Sequence, residues 1–113
     1  MPEILTSLEF ESDYAKLKAR MEKGSGEAKR LYALIQAATK ELKSDHEAGR
    51  HVPRYLWPKE YVRKYGITNM WKYDLDSYWR LTYTITGDKV RLVLVYLEFM
   101  DHKEYERRFG YRN

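Results

Sequence analysis

The sequence predicts one small α+β domain, and three observations carry that expectation. The chain has 113 residues, enough for one ordinary domain and too few for two, so a single domain over 1–113 is expected. Its first half holds two segments with apolar residues at helical spacing. Its second half holds alternating runs rich in aromatic and β-branched residues, separated by turn signals.

Residues Ile4 to Phe10 read as a first strand, followed by Ser12-Asp13 as a helix cap. Tyr14, Leu17 and Met21 then recur at helical spacing until Gly24-Ser25-Gly26 breaks the pattern. A second helix is expected from Glu27 to Lys43, with Leu31, Leu34, Ile35, Ala38 and Leu42 on one face. Together the two make an antiparallel helical hairpin whose stripes are core. Pro58 suits the start of a short helix ending at Tyr65, with Gly66 as its stop. Strands follow over Asn69 to Leu75, Tyr78 to Thr86 and Val90 to Met100, the last two joined at Gly87-Asp88. Asp101, with Glu104 three residues on, has the pattern of a capping box, so a final helix is expected from His102 to Phe109, stopped by Gly110.

A two-residue loop at Gly87-Asp88 sets Thr86 opposite Lys89, Ile85 opposite Val90, Thr84 opposite Arg91, Leu81 opposite Leu94 and Trp79 opposite Tyr96. Side chains alternate between faces. One face then carries Trp79, Leu81, Tyr83, Ile85, Val90, Leu92, Leu94 and Tyr96, and receives the helical hairpin. The other carries Arg80, Thr82, Thr84, Arg91, Val93, Val95, Leu97 and Phe99. Its apolar part suits cover by the last helix, and its polar part stays open near Arg80.

Composition narrows the function. There is no cysteine, which excludes a disulfide scaffold, a thiol nucleophile and a thiolate metal site. No signal-peptide pattern opens the chain, and its longest apolar run, Val93 to Leu97, is too short to span a bilayer, so a cytoplasmic protein without membrane contact is expected. The net charge is +4, and the excess lies in residues 51–113, with twelve Lys/Arg against eight Asp/Glu. That half also holds nine of the eleven tyrosines and all three tryptophans. Cations among aromatics suit nucleic acid, where they meet phosphates and rings stack on bases. Strands also favour aromatics for packing alone. From Arg50 to Lys72 there are six Lys/Arg and one acid, the strongest local bias. Arg54, Arg63 and Lys64 belong to this patch, which is either an RNA contact or a solvated face. His46 and His51 lack metal-ligand spacing, no metal or cofactor is expected, and no Walker, Rossmann or serine-nucleophile motif is present.

Three stretches carry a family resemblance. Met70-Trp71-Lys72-Tyr73-Asp74-Leu75 looks like an alternating aromatic and charged strand of the RelE/ParE/HigB toxin superfamily. Tyr78-Trp79-Arg80-Leu81-Thr82-Tyr83 resembles the strand whose arginine faces substrate. Leu97 to Glu106, with His102 and Tyr105, is similar to the C-terminal segment of the HigB branch, although Asp101, Lys103 and Glu106 depart from its usual threonine, arginine and aspartate. The β-α-α-β-β-β order with a C-terminal helix is similar to the RelE-like fold, an antiparallel sheet with the hairpin on one face. The resemblance implies a toxin controlled by a cognate antitoxin. It implies a metal-independent ribonuclease that cuts messenger RNA in the ribosomal A site by attack of a 2′-OH on the adjacent phosphate, and that also contacts ribosomal RNA. A non-cleaving binder of gyrase, RNA or a protein is the alternative within the same fold.

On this reading Arg80 grips phosphate, His102 transfers a proton, and Tyr105 orients the nucleophile, stacks or donates. His102, Tyr105 and Phe109 also form one helical stripe, which suits packing equally. Lys72 and Lys103 are candidate phosphate contacts. Arg91 shares the hairpin face but falls roughly 13 Å from the position opposite Arg80, making it a docking residue at most.

Overall fold

The computed structural model describes residues 2–88 and 90–110. Strand β1 (Glu3–Thr6) runs directly into helix α1 (Leu8–Glu22). The helix starts earlier than the Ser12-Asp13 signal predicted, because Ser7 already caps it. Ser7 Oγ accepts the Phe10 N–H at 3.0 Å and donates to the Leu97 carbonyl at 2.5 Å. One hydroxyl thus satisfies an orphan helix donor and ties the helix to the sheet. Helix α2 (Gly26–Ser44) is capped by Ser25 and buries Leu31, Ile35, Ala38 and Leu42 of the expected stripe, with Leu34 half-buried.

A two-residue strand, β2 (Arg50–His51), and a 3-10 turn (Arg54–Leu56) occupy a stretch with no periodic signal. Helix α3 (Lys59–Tyr65) begins after Pro58 and ends at Gly66, whose φ of 59° is left-handed. Strands β3 (Trp71–Asp74), β4 (Trp79–Gly87) and β5 (Leu92–Asp101) follow, and helix α4 (His102–Phe109) closes the described fold. Asp101 caps α4 by accepting the Glu104 N–H at 2.9 Å, while the Glu104 carboxylate turns to Arg107 and Arg108.

The five strands lie in the order β1-β5-β4-β3-β2. The α+β class is as expected, but the sheet is mixed, since β1 runs parallel to β5. The β4–β5 register also differs from the expectation. Ile85 faces Leu94 rather than Val90, Thr84 faces Val95 rather than Arg91, and Leu81 faces Phe99 rather than Leu94. The cause is the turn. The Asp88 carboxylate accepts the N–H groups of Val90 and Arg91 at 2.9 and 2.8 Å, and the Asp88 N–H donates to the Arg91 carbonyl. This closes a wider loop than the two-residue one, and Val90 is left 95% exposed instead of in the core. Gly87, at φ 102°, sits where any Cβ would strike the Arg91 carbonyl oxygen at 2.0 Å. Thr86 faces Val93 rather than Lys89, which lies outside the described residues, and Trp79 faces Asp101 rather than Tyr96.

The slip is even, so Leu92, Leu94 and Tyr96 keep their predicted face. A bulge at Leu97 then reverses the rest: Tyr83 faces Tyr96, but Thr82 faces Glu98. Phe99 therefore packs on the hairpin side, 5.4 Å from Phe10, and Glu98 moves to the α4 side. Two cores result. One joins Phe10, Leu17, Leu31, Ile35 and Leu42 to Leu81, Tyr83, Leu94 and Tyr96 under α1 and α2. The other joins Val52, Tyr61, Ile67, Met70, Leu97 and Met100 to Tyr105 and Phe109 under α3 and α4.

Candidate functional site

Pairing of β3 with β4 sets Asp74 opposite Arg80 and Lys72 opposite Thr82. Alternation then puts Lys72, Asp74, Arg80 and Thr82 on one face, the side covered by α4. Asp74 Oδ1 lies 3.0 Å from Lys72 Nζ and 3.0 Å from Arg80 Nε. The two cationic side chains are 14% and 16% exposed, while the carboxylate between them is 45% exposed. Arg80 Nη1 also donates to the carbonyls of Asp76 and Trp79 at 3.0 and 3.3 Å, which fixes the guanidinium against the β3–β4 turn.

That turn is itself held. Asp76 Oδ1 accepts the N–H groups of Tyr78 and Trp79, and Oδ2 meets Arg30 of α2 at 2.7 Å. Desolvation pushes the Asp76 carboxyl up, but these N–H groups and Arg30 outweigh it, and the net displacement is downward.

Helix α4 supplies the other expected residues. His102 donates its backbone N–H to Tyr78 O at 2.6 Å and sets its ring edge-on to Tyr78 at 5.0 Å. Its Nδ1 is 3.8 Å from Glu106 Oε2, and the side chain is 33% exposed. Tyr105 is 1% exposed, with its ring stacked on Phe109 at 4.3 Å and Lys72 Nζ 5.5 Å from its centroid. In this arrangement Tyr105 is the floor beneath Lys72, not a surface group. Lys72, Arg80, His102 and Tyr105 therefore gather at one end of the sheet, where Arg80 faces Met100 and α4 begins two residues later.

Lys103 follows His102 in the first turn of α4, and the remaining expected residues lie elsewhere. Arg91 sits in the far turn, paired to Glu3 at 2.5 Å. Met100, opposite Arg80, is nine residues beyond Arg91, so the separation along the strand is roughly 30 Å, more than twice the expected value. Lys64 lies 3.8 Å from Glu9, and Arg54 stacks over Trp57 at 5.4 Å. Arg63 and Lys103 are exposed on α3 and α4. A groove of about 640 Å³ opens between the end of β1, the start of α1, the end of α3 and the Thr84–Thr86 part of β4. Of the expected site residues only Lys64 lines it.

Sequence reading missed Asp74, although Lys72-Tyr73-Asp74 on a strand places its first and third residues on one face. It also missed the brace on α4. Arg108 reaches Glu98 at 2.5 Å and Glu104 at 2.6 Å, and Tyr65 donates to Glu98 at 2.7 Å. No cluster of three or more potential metal ligands occurs among the described residues, and His51 instead packs edge-on to Trp71. No described helix is long and apolar enough to cross a membrane.

Two comparisons bear on this geometry. A family model described as ParE toxin of type II toxin-antitoxin system, parDE, matches residues 4–98. A solved structure titled YoeB/ParE toxin from Agrobacterium tumefaciens superposes with a TM-score of 0.57 at 16% identity, covering 88% of this chain and 98% of that one. At that identity the likeness is one of fold. A comparison with curated proteins gave no match.

Proposed function

We propose, because this chain belongs to the ParE toxin family of type II toxin–antitoxin systems, that it is a toxin acting on RNA as a metal-independent endoribonuclease. The carrying observation is the pair of cations sharing one carboxylate oxygen. Lys72 and Arg80 are fixed and largely desolvated, and the anion between them is the most exposed member. An RNA phosphate can take the place of Asp74 and meet two charges with no rearrangement of either, the preorganisation that phosphorane stabilisation needs. His102, at the start of α4 and partly exposed, takes the 2′-OH proton. The 2′-oxygen then bonds to phosphorus, the bond to the 5′-oxygen breaks, and water protonates the departing oxygen, leaving a 2′,3′-cyclic phosphate. Tyr105 acts as a positioning residue for Lys72. Messenger RNA on the ribosome is the proposed substrate, the cytoplasm the proposed location, and a cognate antitoxin the partner such a toxin requires.

One observation favours a second reading. The family match ends at residue 98, so α4 with His102 and Tyr105 lies beyond it. A toxin that binds gyrase without cutting RNA needs neither residue. The test is translation of a reporter message with added protein, primer extension to locate cuts, and a parallel gyrase supercoiling assay. Ribosome-dependent cuts that fall at least a hundredfold in Arg80→Ala, as loss of one preorganised donor predicts, support the ribonuclease. An intact message with inhibited supercoiling supports the binder.

A further inference from the structure

We infer that Arg50 of β2, with Arg54 and Tyr55 of the following 3-10 turn, forms a stacking subsite for unpaired RNA, extending the cation row that starts at Arg80 and Lys72. The inference rests on the RNA-directed reading above.

Strand β2 pairs with β3 so that Arg50 faces Lys72. Directly opposed residues project on the same side with Cα atoms about 5 Å apart, so Arg50 carries the positive row of Lys72 and Arg80 to the sheet edge. The edge is seated by a buried phenol. Tyr83 Oη accepts the Gly49 N–H at 3.2 Å and donates to the His46 carbonyl at 3.0 Å. Gly49 approaches so closely that a Cβ there would lie 2.4 Å from the Lys72 carbonyl oxygen. Beyond β2, Val52 donates its N–H to Met70 O at 2.8 Å and is buried, and Trp57 Nε1 donates to Val52 O at 2.9 Å.

The 3-10 turn is therefore anchored on both sides, yet Tyr55 inside it is 85% exposed. A large ring held out to solvent on a fixed turn gains no packing for this chain. Beside it, the Arg54 guanidinium lies over Trp57. Among the described residues Arg50, Arg54, Lys59 and Arg63 of this cationic stretch enter no ion pair, whereas Arg20, Arg30, Arg91, Arg107 and Arg108 all do. No acid occurs between Gly49 and Glu60. Cations with no acid of their own beside an exposed ring match phosphates and a base face together. Only an unpaired strand offers both, since a duplex keeps its base faces stacked inside. A strand with its reacting phosphate at Lys72 and Arg80 passes Arg50 before a neighbouring base meets Tyr55.

Fluorescence anisotropy with a labelled oligouridine, and with an abasic ribose-phosphate strand of the same length, tests this on the full chain. The wild type should bind the oligouridine roughly tenfold more tightly than the abasic strand. Tyr55→Ala should erase that preference and Tyr55→Phe should keep it. Arg50→Ala should weaken both strands and reduce the salt dependence by about one counterion. Equal binding of the two strands by wild type, or an undiminished preference in Tyr55→Ala, overturns the subsite. The primer-extension assay reports the ribonuclease reading separately. Cuts without base preference remove only the subsite, whereas absence of both cuts and binding removes both.

Discussion

The two faces of this sheet share their strands but handle polarity in opposite ways. Under α1 and α2 the face is apolar, and the hydroxyls of its buried tyrosines, Tyr83 and Tyr96, find neutral partners, while the half-buried Tyr73 donates to the Glu41 carboxylate. Tyr96 Oη bonds Thr39 at 2.7 Å, and Tyr83 Oη bonds the backbone at His46 and Gly49. Burial raises both phenols' pKa values, so they stay neutral and hold their hydrogen bonds across the physiological range. Under α4, Lys72, Arg80, Glu98 and Arg108 are charges drawn mostly out of water, each offset by a partner at hydrogen-bond distance. The first face supplies stability through area removed from water. The second gives up part of that gain to keep ionic groups in fixed places, as the proposed phosphate site would require.

That contrast can be broken by substitution. Leu94→Ala, at a fully buried position on the apolar face, should cost about 3 kcal/mol in urea denaturation while leaving activity per folded molecule unchanged. A cost below about 1 kcal/mol would mean that this face is not the main store of stability. Arg108→Ala should cost about 2 kcal/mol, discounted for the partial exposure of Arg108, because it strips the cation from a Glu98 side chain only 10% exposed. Arg108→Ala with Glu98→Gln should recover much of that loss. An additive double variant would show that the pair is not coupled.

The pH response sharpens the same division. Hydrogen bonds from Arg107 and Arg108 hold the Glu104 carboxyl below the usual carboxylate range. A depressed folded pKa adds stability that is complete above the unfolded value and is lost as pH falls through the folded one. Stability should therefore decline below the ordinary carboxylate range. The Leu94→Ala decrement should stay constant across that decline, and the Arg108→Ala decrement should shrink, as read from urea midpoints at each pH.

The smallest stability effect belongs to Asp74→Asn. The Asp74 carboxylate is 45% exposed and an amide oxygen still accepts from Lys72 and Arg80, but those cations are only 14% and 16% exposed and lose their counter-charge, so the cost should be about 1 kcal/mol. If Asp74 holds the place of a phosphate, the same variant should bind oligouridine several-fold more tightly. Weaker binding would mean that the carboxylate organises the cations more than it competes with the phosphate.

Much of the fold was legible because its signals are local. The Leu31, Ile35, Ala38 and Leu42 stripe, the Pro58 and Gly66 bounds of α3, and the Asp101 and Gly110 bounds of α4 each depend on residues within a turn or two of one another. The hairpin register was not legible, since Gly87-Asp88 suits a two-residue loop as well as the wider turn that the Asp88 carboxylate selects. The bulge at Leu97 left no local mark, and it alone decides that Glu98, not Phe99, faces α4. The earlier start of α1 did carry a local signal, Ser7 three residues before Phe10, whose N–H its Oγ accepts.

The candidate site divides the same way. Arg80, Lys72, His102 and Tyr105 stand out in the sequence by residue type and by the resemblance of their strands and helix to a toxin family. The sequence by itself determined most element types, the buried stripe of α2 and the basic, aromatic character of the second half, because these follow from periodicity and composition. Only the tertiary structure decided that Asp74 sits between two cations, that Tyr105 is floor and not surface, and that Arg91 lies far from Arg80. Each of these depends on strand register and helix docking, which are set by the sum of many contacts between residues distant in the chain.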